Sequence, residues 1–393
     1  MKNNTVEPGN RKLFFNPDLQ IIFGITLIAV LGVANLTPAF PKMQKALNIS
    51  TEQVGLLITI FTLPGVFLTP MLGVLADRWG RKRVIIPSLF VFGIMGTLCA
   101  FTTDFNMLLM LRFIQGIGAA ALGSMNVTLI GDIFTGNERT SAMGYNASVL
   151  SIGTASYPAI GGAVAVFGWN YPFVMSIAAI PVGLFVIFKL NNPETKNNQR
   201  IKDYLSSAFQ SINNRKVIGL YIGSIATFII LYGAFLSYFP FLIASKFHSS
   251  TVVIGVLMSA MSVSTALISS QLGKLVNKIP ETKLLRYSYL VYGTALILIP
   301  FMPDLLTLIF PVILFGIGHG VNFPSIQTLL AGLAPGKYRA AFMSLNGTVL
   351  RLGQTLGPVL MALVLSVSEL NYVFFSAALL AFLMSLLAYI LVK

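Results

Sequence analysis

Twelve apolar runs, each close to the length that crosses a bilayer, recur along the 393 residues of this chain. A span needs about 20 mostly apolar residues. Reading runs between polar punctuation gives 19–41, 53–75, 84–101, 107–131, 141–166, 172–190, 217–243, 252–273, 285–302, 306–331, 341–366 and 372–391. In lipid each backbone polar group must find its partner within its own segment, so these runs predict helices and an all-α integral membrane protein. The first run is too long for a signal-peptide core and lacks a small-residue cleavage site, so it is read as retained. Only 10% of residues are charged and mean hydropathy is +0.81, which excludes a water-soluble enzyme: so few charges cannot coat its surface.

The chain carries a net charge of +14, and its distribution explains it. With the N-terminus in the cytoplasm, 21 Lys and Arg residues fall on the inner side. Three, Lys42, Lys45 and Lys246, fall outside, and Arg112 and Arg351 lie within spans. Lys and Arg collect in cytoplasmic loops, so this split places both termini in the cytoplasm and removes nucleic acid as a partner. The single cysteine, Cys99, excludes an intrachain disulfide.

The chain repeats itself at an offset of 200 positions. Over residues 101–160 there are 16 identities, among them Asp104 with Asp304, Gly116-Ile117-Gly118 with Gly316-Ile317-Gly318, Asn146 with Asn346, and Pro158 with Pro358. Two pseudo-symmetric six-helix bundles follow, with a cavity between them at the bilayer midplane. The expected organisation is a tail over 1–18, a bundle over 19–190, a cytoplasmic linker over 191–216 and a second bundle over 217–393. In the linker Ile201, Tyr204, Leu205, Ala208, Phe209 and Ile212 recur at helical spacing. They predict an amphipathic helix on the membrane surface, with a solvated linker as the alternative.

The first inner loop reads Gly73-Val-Leu75-Ala-Asp77-Arg78-Trp-Gly80-Arg81-Lys82-Arg83. It closely resembles the G-x-L-x-D-R-x-G-R-K signature of the major facilitator superfamily. Arg112-Phe-Ile-Gln115-Gly116-Ile-Gly118 resembles the R-x-x-Q-G-x-G pattern of its drug:proton antiporter branch. Gly153 and Pro158-Ala-Ile-Gly161-Gly162 resemble that branch's helix-bend motif, with Tyr157 where the pattern has glycine. The resemblance implies the major facilitator fold, alternating access, and a charge network of Asp77, Arg78 and Arg81 with Asp132. The second half has Asn277, Glu281 and Gly332 at the positions of Asp77, Arg81 and Asp132, which confines that network to the first half.

No acidic residue falls at mid-span. Charge at membrane depth costs at least ~2.5–3.5 kcal/mol, so the ionisable groups that do lie there invite a functional reading. They are Arg112, His319 and Arg351, each with an amide on the same face: Gln115, Asn322 and Gln354. Arg351 and His319 replace Ser151 and Ala119 of the first half, so the repeat does not require them. With Asn35 and Tyr232 they form the candidate cavity set, which suits an anionic or carbonyl-rich substrate. Each also has a packing alternative: Arg112 bonding to backbone carbonyls, His319 in a helix–helix hydrogen bond, Tyr232 as an aromatic anchor. Without a cavity carboxylate, proton coupling falls to His319, Asp77 or Asp132.

The expected function is a secondary transporter in the plasma membrane that exports a small amphipathic compound or drug in exchange for protons. A sugar or organic-anion permease and a lipid or lysolipid flippase remain open. No cofactor, metal or catalytic residue is expected, and a monomer suffices. H-E-x-x-H, G-x-S-x-G and P-loop motifs are all missing from the sequence, which argues against an enzyme and an ATP-driven pump.

Overall fold

A computed structural model describes residues 13–191, 214–333 and 339–392. Twelve long helices fill them: α1 (Pro17–Leu47), α2 (Thr51–Trp79), α3 (Arg81–Phe101), α4 (Phe105–Ile133), α5 (Gly136–Val164), α6 (Tyr171–Lys189), α7 (Arg215–Phe247), α8 (Thr251–Val276), α9 (Glu281–Phe301), α10 (Leu305–Leu333), α11 (Arg339–Ser366) and α12 (Leu370–Leu391). The expected linker helix falls on 192–213, outside the described residues.

Eleven of these helices are long and apolar enough to cross a membrane. The other, α5, is as long as any of the spans around it at 29 residues but is rich in Gly, Ser, Ala and Thr. Small residues let a helix approach a neighbour's backbone closely, and α5 is the helix that packs against α8 of the other half. Its weak hydropathy follows from that position.

The sequence repeat reappears in the helix caps. The Ser50 and Ser250 hydroxyls accept from the backbone N–H of Gln53 and Val253 at the starts of α2 and α8. Asp104 and Asp304 accept from the N–H of Met107 and Thr307 at the starts of α4 and α10. Asn48 and His248, which end α1 and α7, are left-handed with φ of 51° and 50°. Each pair is 200 residues apart, and the four side-chain caps satisfy backbone N–H groups left orphaned at the helix starts. Packing repeats as well. In the first half α4 lies against α2 and α3, α1 against α5, and α3 against α6; in the second, α10 lies against α8 and α9, α7 against α11, and α9 against α12.

The halves meet mainly through two helix pairs, α2 with α11 and α5 with α8. At the end remote from the basic loop these pairs are sealed. Thr251 Oγ1 donates to the Gly162 carbonyl at 2.7 Å, and the Ala159 N–H to Ser259 Oγ at 3.0 Å. Thr59 Oγ1 donates to the Thr355 carbonyl at 3.1 Å, with Thr62 and Thr355 hydroxyls 2.9 Å apart. Gly55 lies on Pro358, and its repeat partner Gly255 lies on Pro158. At the basic-loop end the same four helices part. A Cβ added at Gly73, Gly144, Gly273 or Gly347 would meet nothing within 4 Å. A cleft therefore opens between the halves toward the Asp77–Arg83 loop.

Candidate functional site

Arg112 lies on α4, inside the first half, and is 1% exposed. Its Nε donates to the Leu57 carbonyl at 3.2 Å, Nη1 to Gln115 Oε1 at 2.6 Å, and Nη2 to the Gly32 carbonyl at 2.8 Å. The guanidinium carbon sits 4.1 Å from the centre of the Phe61 ring. Gly32 makes this possible, because a Cβ there would overlap that ring. Gln115 donates onward to Ser176 Oγ at 3.1 Å. Every nitrogen of this cation thus has a partner, and together these bonds tie α1, α2, α4 and α6. Asn35 is also enclosed, donating to the Pro172 carbonyl at 2.8 Å. The structure places Asn35, Arg112 and Gln115 within the first half and away from the cleft.

The second half is arranged differently. Arg351 of α11 is half-buried one turn below the seal, where the Thr355 hydroxyl donates to its carbonyl. Among the described residues its side chain makes one hydrogen bond, Nη1 to Gln354 Oε1 at 3.3 Å. Its side chain reaches the first half: Nε lies against Gly65 of α2 and Nη2 against Gly123 of α4, each 3.2 Å from where a Cβ would stand. Val127, one turn beyond Gly123, is 50% exposed, which marks this face of α4 as cleft wall. Tyr232 of α7, half-buried, lies within electrostatic range of the guanidinium.

Tyr232 begins an aromatic wall. Its ring is 5.8 Å from Phe228, which packs edge-on to Phe323 at 5.6 Å and to His319 at 6.4 Å. His319 and Phe323 stack nearly parallel at 6.1 Å. The Tyr292 hydroxyl hydrogen-bonds to His319 Nδ1, while Nε2 has no protein partner among the described residues. Phe228 and Phe323 were not in the cavity set read from sequence. Their signal was the spacing: 228 and 232 on α7, and 319 and 323 on α10, are one helical turn apart. Tyr232 lies in a π-helical stretch, Ile230–Tyr238, where Gly233 presses on the Gly357 backbone of α11. Such stretches often accompany functional sites. Asn322 turns the other way, buried between Thr227 and Ser288 at 2.6 and 2.9 Å.

At the mouth of the cleft Arg81 pairs with Asp77 and, at 3.0 Å, with Asp132. Gly80, at φ 98°, makes the turn that joins α2 to α3. Of the helix-bend residues, Gly153 abuts Leu27 and Gly161 abuts the Asn35 carbonyl, both on α1, while Pro158 and Gly162 face α8. Among the described residues no three His, Cys, Asp or Glu side chains gather to hold a metal ion.

The family model of the Major Facilitator Superfamily matches residues 22–305 and 232–393. The chain belongs to that superfamily. It is a multi-pass membrane transporter and not an enzyme. Multidrug resistance protein 2 of Bacillus subtilis is 24% identical over 347 residues, 86% of each chain. Quinolone resistance protein NorA of Staphylococcus aureus is 24% identical over 352 residues, 88% of this chain and 89% of its own. A crystal structure of a bacterial homologue of the lysosomal transporter Spinster, inward-facing and occupied, superposes with a TM-score of 0.82 at 15% identity, covering 95% of this chain and 96% of that one. Major facilitator proteins of such distant sequence thus share this arrangement of helices. Within it the Arg351–aromatic cleft is the candidate site.

Proposed function

We propose that this major facilitator protein is a monomeric, proton-coupled exporter of small amphipathic compounds in the plasma membrane. It works by alternating access, with both termini and the basic loop cytoplasmic. The observation that carries the reading is the asymmetry of the interface: α2/α11 and α5/α8 are sealed at one end and parted at the other. Two repeated halves joined in this way can rock about a central site. With 21 cationic residues on the basic side, the open end faces inward, so this conformation loads from the cytoplasm. Export as the direction, and a drug-like solute, are supported by the names of the resistance proteins that resemble it over most of their length.

Protons need a titratable group that both sides can reach in turn. His319 is half-buried on α10, and its Nε2 has no protein partner among the described residues. Asp77 and Asp132 stand at the cleft mouth, joined through Arg81. Flux into proteoliposomes across an imposed pH gradient tests the coupling. Wild type is expected to respond to the gradient, and His319→Ala or Asp132→Asn to lose that response. Gradient-insensitive flux at equal rates in all three proteins overturns the coupling.

A further inference from the structure

We infer that the solute held in this cleft is an aromatic anion, its carboxylate or equivalent oxyanion on Arg351 and its ring against the Phe228–Tyr232–His319–Phe323 wall. The inference rests on the transport reading and specifies its substrate class.

Three observations carry it. First, Arg351 carries donors that no group of the protein accepts among the described residues. Nε and Nη2 have no protein partner among the described residues, and the surfaces opposite are Gly65 and Gly123, which supply no side chain. A guanidinium presenting two adjacent N–H groups matches the two oxygens of a carboxylate. Second, nothing anionic in the protein answers it. Among the described residues Arg351 makes no ion pair, and the sequence has no mid-span acid. A cation at membrane depth is costly, and when the halves close over the cleft Arg351 loses water without gaining a counter-ion unless the solute brings one. Third, the neighbouring surface is made of ring faces and edges. Phe323 and His319 stack at 6.1 Å on a buried Phe228 that is edge-on to both, and Tyr232, His319 and Phe323 are only half-buried, which leaves ring surface for one more flat ring. A cationic solute would meet like charge here, and an aliphatic one would forgo the ring contacts.

The test uses the full-length protein in phosphatidylcholine nanodiscs, where no lipid anion competes. Three probes share one ring system: 2-naphthoate, 2-naphthamide and 2-naphthylmethylammonium. Wild type is expected to bind the carboxylate roughly 10–100-fold more tightly than the amide, as charge-assisted hydrogen bonds imply, and the ammonium most weakly. In Arg351→Ala the carboxylate should fall to the level of the amide, with Arg351→Lys between them. Phe323→Ala should weaken carboxylate and amide alike by about 3–10-fold. Each variant is checked for an unchanged gel-filtration profile. Amide or ammonium binding as tight as the carboxylate, a carboxylate preference that survives in folded Arg351→Ala, or no binding of any probe to wild type each overturns the inference. Flux assays with the same probes separate it from the transport reading. Carboxylate-selective binding without flux sinks transport and keeps the anion site. Flux of the ammonium with no carboxylate preference does the reverse.

Discussion

Arg112 and Arg351 carry the same short motif, an arginine with glutamine three residues on, in opposite halves of the molecule, and the structure uses them in opposite ways. Arg112 is saturated by two backbone carbonyls, Gln115 and the Phe61 face. Among the described residues Arg351 bonds to Gln354 alone, with the rest of its fork against Gly65 and Gly123, which accept nothing from it. Burial of a charge is therefore not by itself a sign of ligand binding. What distinguishes a site is a donor that the fold leaves unanswered.

That contrast can be broken experimentally, and Arg112→Ala should show the largest effect. It removes three hydrogen bonds and a packed side chain at the junction of α1, α2 and α4, and should cost about 2–5 kcal/mol. A thermal melt in detergent reads this, and an unchanged melting temperature contradicts the framework role. Arg112→Lys should cost about 1–3 kcal/mol, because one ammonium cannot reach three divergent acceptors and lie flat on a ring. The glutamines sharpen the comparison. Gln115→Ala leaves Ser176 and Arg112 Nη1 unpaired and should cost about 1–2 kcal/mol, more than Gln354→Ala measured in the same way. Smallest of all, Arg351→Ala should shift stability by no more than about 0.5 kcal/mol while it abolishes the preference for anions. A large loss of stability in that variant would make the second arginine structural like the first.

Much of this architecture was legible in the sequence. The apolar runs matched the twelve helices within a few residues, and the helices overrun them where polar caps such as Ser50 and Asp104 extend the turn beyond the apolar stretch. The offset of 200 read from the sequence reappears in the paired caps and in the reciprocal Gly55–Pro358 and Gly255–Pro158 contacts, which the sequence reading did not itself predict. The grouping of Asp77, Arg81 and Asp132 was implied by the resemblance, and the structure brings the three side chains together. The site was less legible. Sequence spacing put Arg112, Asn322 and Asn35 on the same footing as Arg351, because polarity at membrane depth shows that a partner is needed and does not show whether the fold supplies one. Phe228 and Phe323 were hidden for the complementary reason: aromatic residues are common in every span, and only the three-dimensional meeting of α7 with α10 makes a wall of them.

The sealed end of the interface is made of hydroxyls, backbone carbonyls and glycine contacts, with Thr59, Thr62, Thr251, Ser259 and Thr355 as its bonding side chains. Unfastening it breaks neutral hydrogen bonds, each worth only about 0.5–1.5 kcal/mol net. Among the described residues no charged side chain takes part in these bonds. The opposite mouth, with Asp77, Arg81 and Asp132, is where ionic strength has purchase. The two doors of one carrier thus answer to different physical conditions.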